Sequence, residues 1–287
     1  MILGHPLFTN MPGQTSAWND TTMNPLRRIS DQLREMRWAQ VSIELLLLVL
    51  GILIALAVDD WMQDRRDARM ERDYLQLLVR DLERDDEILK EFISFEELQT
   101  NDGIEAYRAL RKTVAPADRE AVAARLSRLT SRRTLRLVRA TYTDLVSTGN
   151  LRLISNPVLR DRVVKYYEET DRRIAIVDRN NQFFVDQSYA AYLSNTGLVA
   201  PRPTNNLPAS NAAMGEFAAR LGVPVAEGSD PLWRLSTSAP EYEVLVGKVW
   251  QRTSVSFQAI NNVKVADEQA AEMRQAIGAE LATRWRE

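Results

Sequence analysis

Seven arginines crowd one short stretch of this sequence: Arg119, Arg125, Arg128, Arg132, Arg133, Arg136 and Arg139. A guanidinium carries a permanent charge and a fork of donors that suits phosphate and carboxylate oxygens. A patch built from Arg125, Arg128, Arg132, Arg133 and Arg136 would therefore take an anionic lipid headgroup, a phosphorylated ligand or an acidic partner. The other reading is a solvated face, and composition favours it: 32 of the 37 basic residues are Arg and 5 are Lys, a bias that runs through the whole chain. Ser147-Thr148-Gly149-Asn150 resembles a phosphate-cradling loop but lacks the further glycines and the lysine of a P-loop. Its residues suit a helix end better. Thr141-x-x-Asp144 has capping-box spacing, Gly149 tolerates the left-handed conformation, and Leu151 supplies the accompanying apolar contact.

Carboxylates offer the remaining chemistry. Asp85-Asp86, Glu96-Glu97 and Glu168-Glu169 are adjacent in sequence, and neighbours on a helix diverge by roughly 100°, so none forms an acid–base pair unaided. All three read as solvated faces. Tyr166-Tyr167 and Trp250 read as bundle core or interface. The chain has no cysteine, which excludes thiol nucleophiles, disulfides, thiolate zinc sites and iron–sulfur clusters. Its one histidine is His5, in an N-terminal tail, so a Ser-His-Asp triad and a two-histidine metal helix are excluded with it. A formal charge of -2 gives no bulk attraction to nucleic acid. The sequence thus predicts no catalytic residue, no metal, no cofactor and no nucleic-acid partner. An enzyme would have to draw carboxylates or tyrosines from different helices into one cleft.

The elements that position these residues begin with an apolar run, Val41 to Val58, bracketed by Trp38 and Trp61. At ~1.5 Å per residue the two tryptophans stand roughly 34 Å apart, close to the ~30 Å hydrocarbon thickness of a bilayer. Tryptophan favours both membrane–water interfaces, so the pair reads as a membrane anchor. Glu44, Gly51 and Ala55 share one face of this helix, since offsets of seven and four are near whole turns. Small residues four apart admit a second helix, and an intramembrane carboxylate points to a partner. The bland alternative is that Glu44 snorkels to the headgroups and Gly51 is incidental. Ala55-Leu56-Ala57 also fits a signal-peptidase site, but no helix-breaking segment separates it from the apolar core, which favours an uncleaved anchor. Arg27, Arg28, Arg34 and Arg37 before the span balance Arg65, Arg66, Arg69 and Arg72 after it. A short basic head and the pair Asp59-Asp60 then favour a C-terminal domain outside the inner membrane. Residues 1–40 read as a disordered basic cytoplasmic head, with Met23 a more familiar start than Met1.

Beyond the span the pattern is helical throughout. Met70, Tyr74, Leu78, Leu82, Leu89 and Phe92 keep helical spacing, with Asn101-Asp102-Gly103 and Ala115-Pro116 as the first breaks. A short helix carries Val122, Leu126 and Leu129. A second long helix opens with Asn156 as N-cap and Pro157 in the first turn, and ends at Asn195-Thr196-Gly197. A third opens at the capping box Ser238-Ala239-Pro240-Glu241 and runs nearly to the C-terminus. Such helices bury their stripes only against one another. The predicted fold is all-α: a transmembrane helix over 41–60 continuing into an elongated, mostly antiparallel helical bundle over 61–287. An irregular connection at about 198–237, with a candidate helix at Ala212 to Leu221, is at that length either disordered or functional.

Two stretches together resemble a family of bacterial single-span membrane proteins grouped as a domain of unknown function. One runs from Glu44-Leu45 through Gly51-Ile52-Leu53-Ile54-Ala55-Leu56 to Asp60-Trp61, Glu71, Tyr74 and Leu75. The other comprises Tyr142, Leu145, Ser147, Gly149-Asn150-Leu151, Ile154, Asn156, Leu159-Arg160 and Tyr166-Tyr167. The resemblance implies an N-terminal anchor and a helical domain, and brings no activity and no catalytic residues; with the orientation signals, the expected location is a bacterial inner membrane. The chain therefore reads as a membrane-anchored interaction module, scaffold or sensor. Its partners would be the lipid bilayer and either a second copy or another membrane protein.

Overall fold

A computed structural model of the chain describes residues 25–200, 202, 216, 220 and 230–285, with side chains at Trp38 and from Gln40 onward. The expectations for residues 1–22, for Met23 and for His5 fall outside these. So does the helix at Ala212 to Leu221, apart from Glu216 and Arg220. Among the described residues there is no strand; the protein is all-α. The chain separates into two units, one ending at Arg65 and the other beginning at Arg66.

The first helix, α1 (Pro25–Leu110), starts well before Val41, so residues 25–40 of the expected unstructured head are helical. Proline preset for the first turn and a run of Leu, Arg, Gln and Glu explain this start. Within the first unit every residue from Val41 to Val58 is exposed. This stretch makes α1 long and apolar enough to cross a membrane.

The second unit is organised by three long limbs and a return strap. After α1 come a short 3-10 turn at Pro116–Asp118 and α2 (Arg119–Arg128). The chain then turns back along α1. Arg128 bonds Asp102, Arg133 bonds Glu91, the Val138 N–H bonds Asp85 and the Thr141 N–H bonds Asp81. Tyr74 then meets Asp144 on α3 (Ala140–Ser147), and the Ser155 N–H meets Glu71. Residues 132–139 of this strap are neither helix nor strand.

The strap lets α4 (Pro157–Asn180) start beside Glu71 and run in the same direction as α1. A π-helical stretch, Asn181–Ala190, carries α4 into α5 (Ala191–Thr196). The last helix, α6 (Pro240–Arg284), runs opposite to both. Tyr242 meets Leu110 and Arg284 meets Glu71 on α1, while Gln269 meets Glu169 on α4. Two apolar cores result. One joins Leu75, Leu82 and Phe92 to Val163, Tyr167, Val263 and Ile277; the other joins Leu110, Leu126, Tyr189, Leu193 and Val249.

Several local signals act as the sequence suggests. The Asn156 side chain accepts from the N–H groups of Val158 and Leu159, and Pro157 opens the helix. Gly149 and Gly197 sit at φ 72° and 59°, the left-handed conformation that glycine adopts without strain. Other signals are overridden. Asn101-Asp102-Gly103 does not break α1, because Asp102 is held by Arg128 and Gly103 faces α6. The boxes at Thr141 and Ser238 do not form. Thr141 gives its N–H to Asp81, and the Ser238 hydroxyl pairs with Ser236 while Ala239 caps α6 without a side-chain bond. The π-helical stretch carried no sequence signal.

At Gly103 a Cβ would fall inside contact distance of the Thr253 side chain. Gly103→Ala is expected to cost about 1–3 kcal/mol in urea unfolding, and Thr253→Ala should recover part of that loss. Identical unfolding of Gly103→Ala and wild type would contradict this close approach of α1 and α6.

Candidate functional site

The residues expected to face the membrane lie together in the first unit. Trp38 and Trp61 are exposed, and the Arg65 guanidinium stacks 4.5 Å from the centre of the Trp61 ring. Glu44, Gly51 and Ala55 are exposed on one helical face, and a Cβ added at Gly51 would meet nothing within 4 Å. That face is open within the chain.

The arginine cluster is largely committed to carboxylates of the second unit. Arg128 forms a two-pronged bond to Asp102, both contacts at 2.7 Å, and Arg125 reaches the same carboxylate at 3.6 Å. Arg132 bonds Asp186 at 2.7 Å, and Arg133 bonds the carboxylate and backbone carbonyl of Glu91. Arg139 pairs with Asp171 and lies over the Tyr142 and Tyr167 rings. Only Arg136 of the five patch residues is exposed and makes no ion pair among the described residues.

The most constrained chemistry lies elsewhere, on the inward face of α1. Glu71, Asp81, Asp85 and Glu96 are all buried there, interleaved with the leucines of the first core. This corrects the solvated reading of two acidic pairs: Asp85 and Glu96 are inside, while Asp86 and Glu97 face outward. The strap explains the inversion. Residues that make no helical hydrogen bonds must find other partners for their N–H and C=O groups. Asp85 Oδ1 accepts the Val138 N–H at 2.7 Å, Asp81 accepts the Thr141 N–H at 3.1 Å, and Glu71 accepts both the N–H and the hydroxyl of Ser155.

The strap's carbonyls are met from the opposite side. Arg252 on α6 is wholly buried and donates to the carbonyls of Leu129 and Ser131, each at 3.1 Å. It also bonds the Ser256 hydroxyl and lies 3.5 Å from the Glu96 carboxylate. Burial pushes its pKa down, opposed by that carboxylate. Asn181 of the π-helical stretch donates to the Arg133 carbonyl, and Tyr189 donates to the Leu126 carbonyl at 2.8 Å. Nothing local in the sequence marks Arg252, Asn181 or Tyr189, since an Arg among helical charges carries no sign of burial. The one usable signal lay in α1, where Asp81, Asp85 and Glu96 fall on the same helical face as Leu78, Leu82, Leu89 and Phe92.

Burial raises the Asp85 pKa from its ordinary 3.8 to about 6, although the Val138 N–H pulls it down. Burial likewise raises the Tyr166 and Tyr167 hydroxyls. A carboxyl with a raised pKa near two tyrosines has the makings of an acid–base centre. Asp85 has no exposed surface, however, so a substrate would meet it only if the strap lifted. No cluster of His, Cys, Asp or Glu fit to hold a metal is found among the described residues. A large, mostly apolar groove of the second unit, about 730 Å³, is lined by Ile104, Tyr107, Trp250 and Phe257 and gathers no carboxylates. Trp250 is 60% exposed there rather than in the core. Comparison with protein-family models, curated proteins and solved structures gives no match.

Removing Arg252 strands the Glu96 carboxylate and the strap carbonyls in the interior. Arg252→Met is expected to cost about 3–5 kcal/mol in urea unfolding, and adding Glu96→Leu should restore part of it. A midpoint equal to wild type for Arg252→Met would show that this pair does not hold the strap.

Proposed function

We propose that the protein is a single-pass membrane protein of a bacterial inner membrane, a helical interaction module that acts as scaffold or sensor. In this reading Val41–Val58 spans the bilayer between Trp38 and Trp61, and the helical domain stands on the periplasmic side. One observation carries the reading: eighteen successive, mostly large apolar residues are exposed along their whole length. An apolar surface this large is not left to water, and the length matches a bilayer.

The Glu44, Gly51 and Ala55 face is the proposed contact for a partner helix, either a second copy or another membrane protein. Lipid offers a carboxylate no donor, so Glu44 gains by facing a partner. The alternative, an anion-binding patch over Arg125 to Arg136, is weaker because Arg125, Arg128, Arg132 and Arg133 already face carboxylates.

Alkaline carbonate extraction and a C-terminal topology reporter test the anchor. The protein should stay with the membrane pellet, and the reporter should be active outside the cytoplasm. Release into the supernatant would overturn the reading. For the partner face, Gly51→Leu and Glu44→Leu should each abolish cross-linking in native membranes to a second copy or a co-purifying protein. Unchanged cross-linking in both variants would remove that face from the proposal.

A further inference from the structure

Among the described residues nothing covers the groove between α1 and α6. Its walls are Ile104 and Tyr107 on α1, both half-buried, and Trp250 and Phe257 on α6. Trp250 and Phe257 stand about two helical turns apart, so they form one ridge along α6. They remain 60% and 57% exposed. The inward sides of the same two helices are closed, where Ala106, Leu110 and Val249 share a core with Leu126 and Tyr189. Gly103 lets α1 close onto Thr253, one of the lining residues, so the ridge and the hollow lie side by side.

The polar groups of the groove are largely spent. The hydroxyls of Thr100, Thr253 and Ser254 each donate to a carbonyl of their own helix, at Glu96, Val249 and Trp250. Arg108 at the rim pairs with Glu105 at 3.1 Å. Past either end of the groove the two helices are bridged, by Glu97 with Lys264 and by Arg111 with Glu243, each at 3.6 Å. Such a surface has no unanswered charge to draw an acidic or basic partner, and it sets no net charge against a copy of itself. It also carries both a ridge and a hollow, as a self-complementary contact requires.

We propose that this groove is a contact between two copies of the chain. The α6 ridge of each copy enters the other's groove, and α1 and α6 from both make a four-helix bundle. A large aromatic side chain offers about 150–250 Å². Counting only the exposed part of Trp250, Phe257 and Tyr107, the contact comes to roughly 600 Å² over both copies. That is below the ~1,200–2,000 Å² of a dimer that assembles from free solution. It is sufficient for copies held in one bilayer, where confinement raises their effective concentration. The inference therefore rests on the anchored reading, and it concerns a surface apart from the Glu44, Gly51 and Ala55 face.

The test uses the full-length chain carrying Gln258→Cys, treated with a short bismaleimide in native membranes. The chain has no other cysteine, and Gln258 is exposed at the edge of the groove. A covalent dimer joined through position 258 on both sides is expected. Adding Trp250→Glu or Phe257→Glu should each lower its yield about tenfold, while Trp250→Phe should leave most of it. Both rings are mostly exposed, so urea unfolding of the two glutamate variants should stay near wild type. Glu83→Cys, exposed on α1 outside the groove, reports chance collisions. Carbonate extraction of the same membranes keeps the two readings apart. Release from the pellet defeats the anchor and this inference with it. In a retained protein, a dimer yield at 258 no higher than at 83, or one that ignores both glutamate variants, defeats the groove contact alone. So does an adduct to a different protein in place of the second copy.

Discussion

The second unit depends on one constraint: a stretch of backbone that is neither helix nor strand runs through a helical protein, and its polar groups must be satisfied by side chains. Helices α1, α4 and α6 satisfy their own backbones and need only bury a stripe. The strap after α2 does not. Its N–H groups find Asp81 and Asp85 on α1, and its carbonyls find Arg252 on α6 and Asn181 on the π-helical stretch. Each of these side chains had to enter the core charged or polar, where it is tolerated because it is paired. The strap in turn reverses the chain, so that α4 begins beside Glu71 rather than beside Leu110.

This arrangement ties the two apolar cores together. Glu96 and Arg252 lie between them, flanked by Phe92 and Ala259 on one side and by Ala106 and Val249 on the other. A buried ion pair seldom adds net stability over a well-packed apolar pair, but loss of one partner is costly. Here the pair fixes where the strap crosses, since Arg252 also bonds the carbonyls of Leu129 and Ser131. The same low-dielectric surroundings raise the pKa of Asp85.

The sequence conveys the helices well, because periodicity, Asn156-Pro157, Gly149 and Gly197 are local signals and the structure uses them locally. It conveys the strap poorly. Val138 and Leu137 look like any short apolar stretch, and nothing nearby announces that Asp85, a full 53 positions away in sequence, will serve as partner. The acidic pairs show the limit most clearly. Adjacent carboxylates suggest solvent, yet the helical register sends Asp85 inward and Asp86 outward. The arginine cluster is similar: its charges are plain in the sequence, whereas the carboxylates that answer them, Glu91, Asp102 and Asp186, come from distant segments. That Glu44, Gly51 and Ala55 share one helical face follows from helical periodicity alone.

The most direct measurement is amide hydrogen exchange across residues 129–141 of the full-length chain at pH 5, residue by residue. If buried side chains hold the strap, Val138 and Thr141 should exchange as slowly as the core amides of α4, although they lie in no regular ladder. Exchange of these two amides at the rate of an open surface loop would contradict the account.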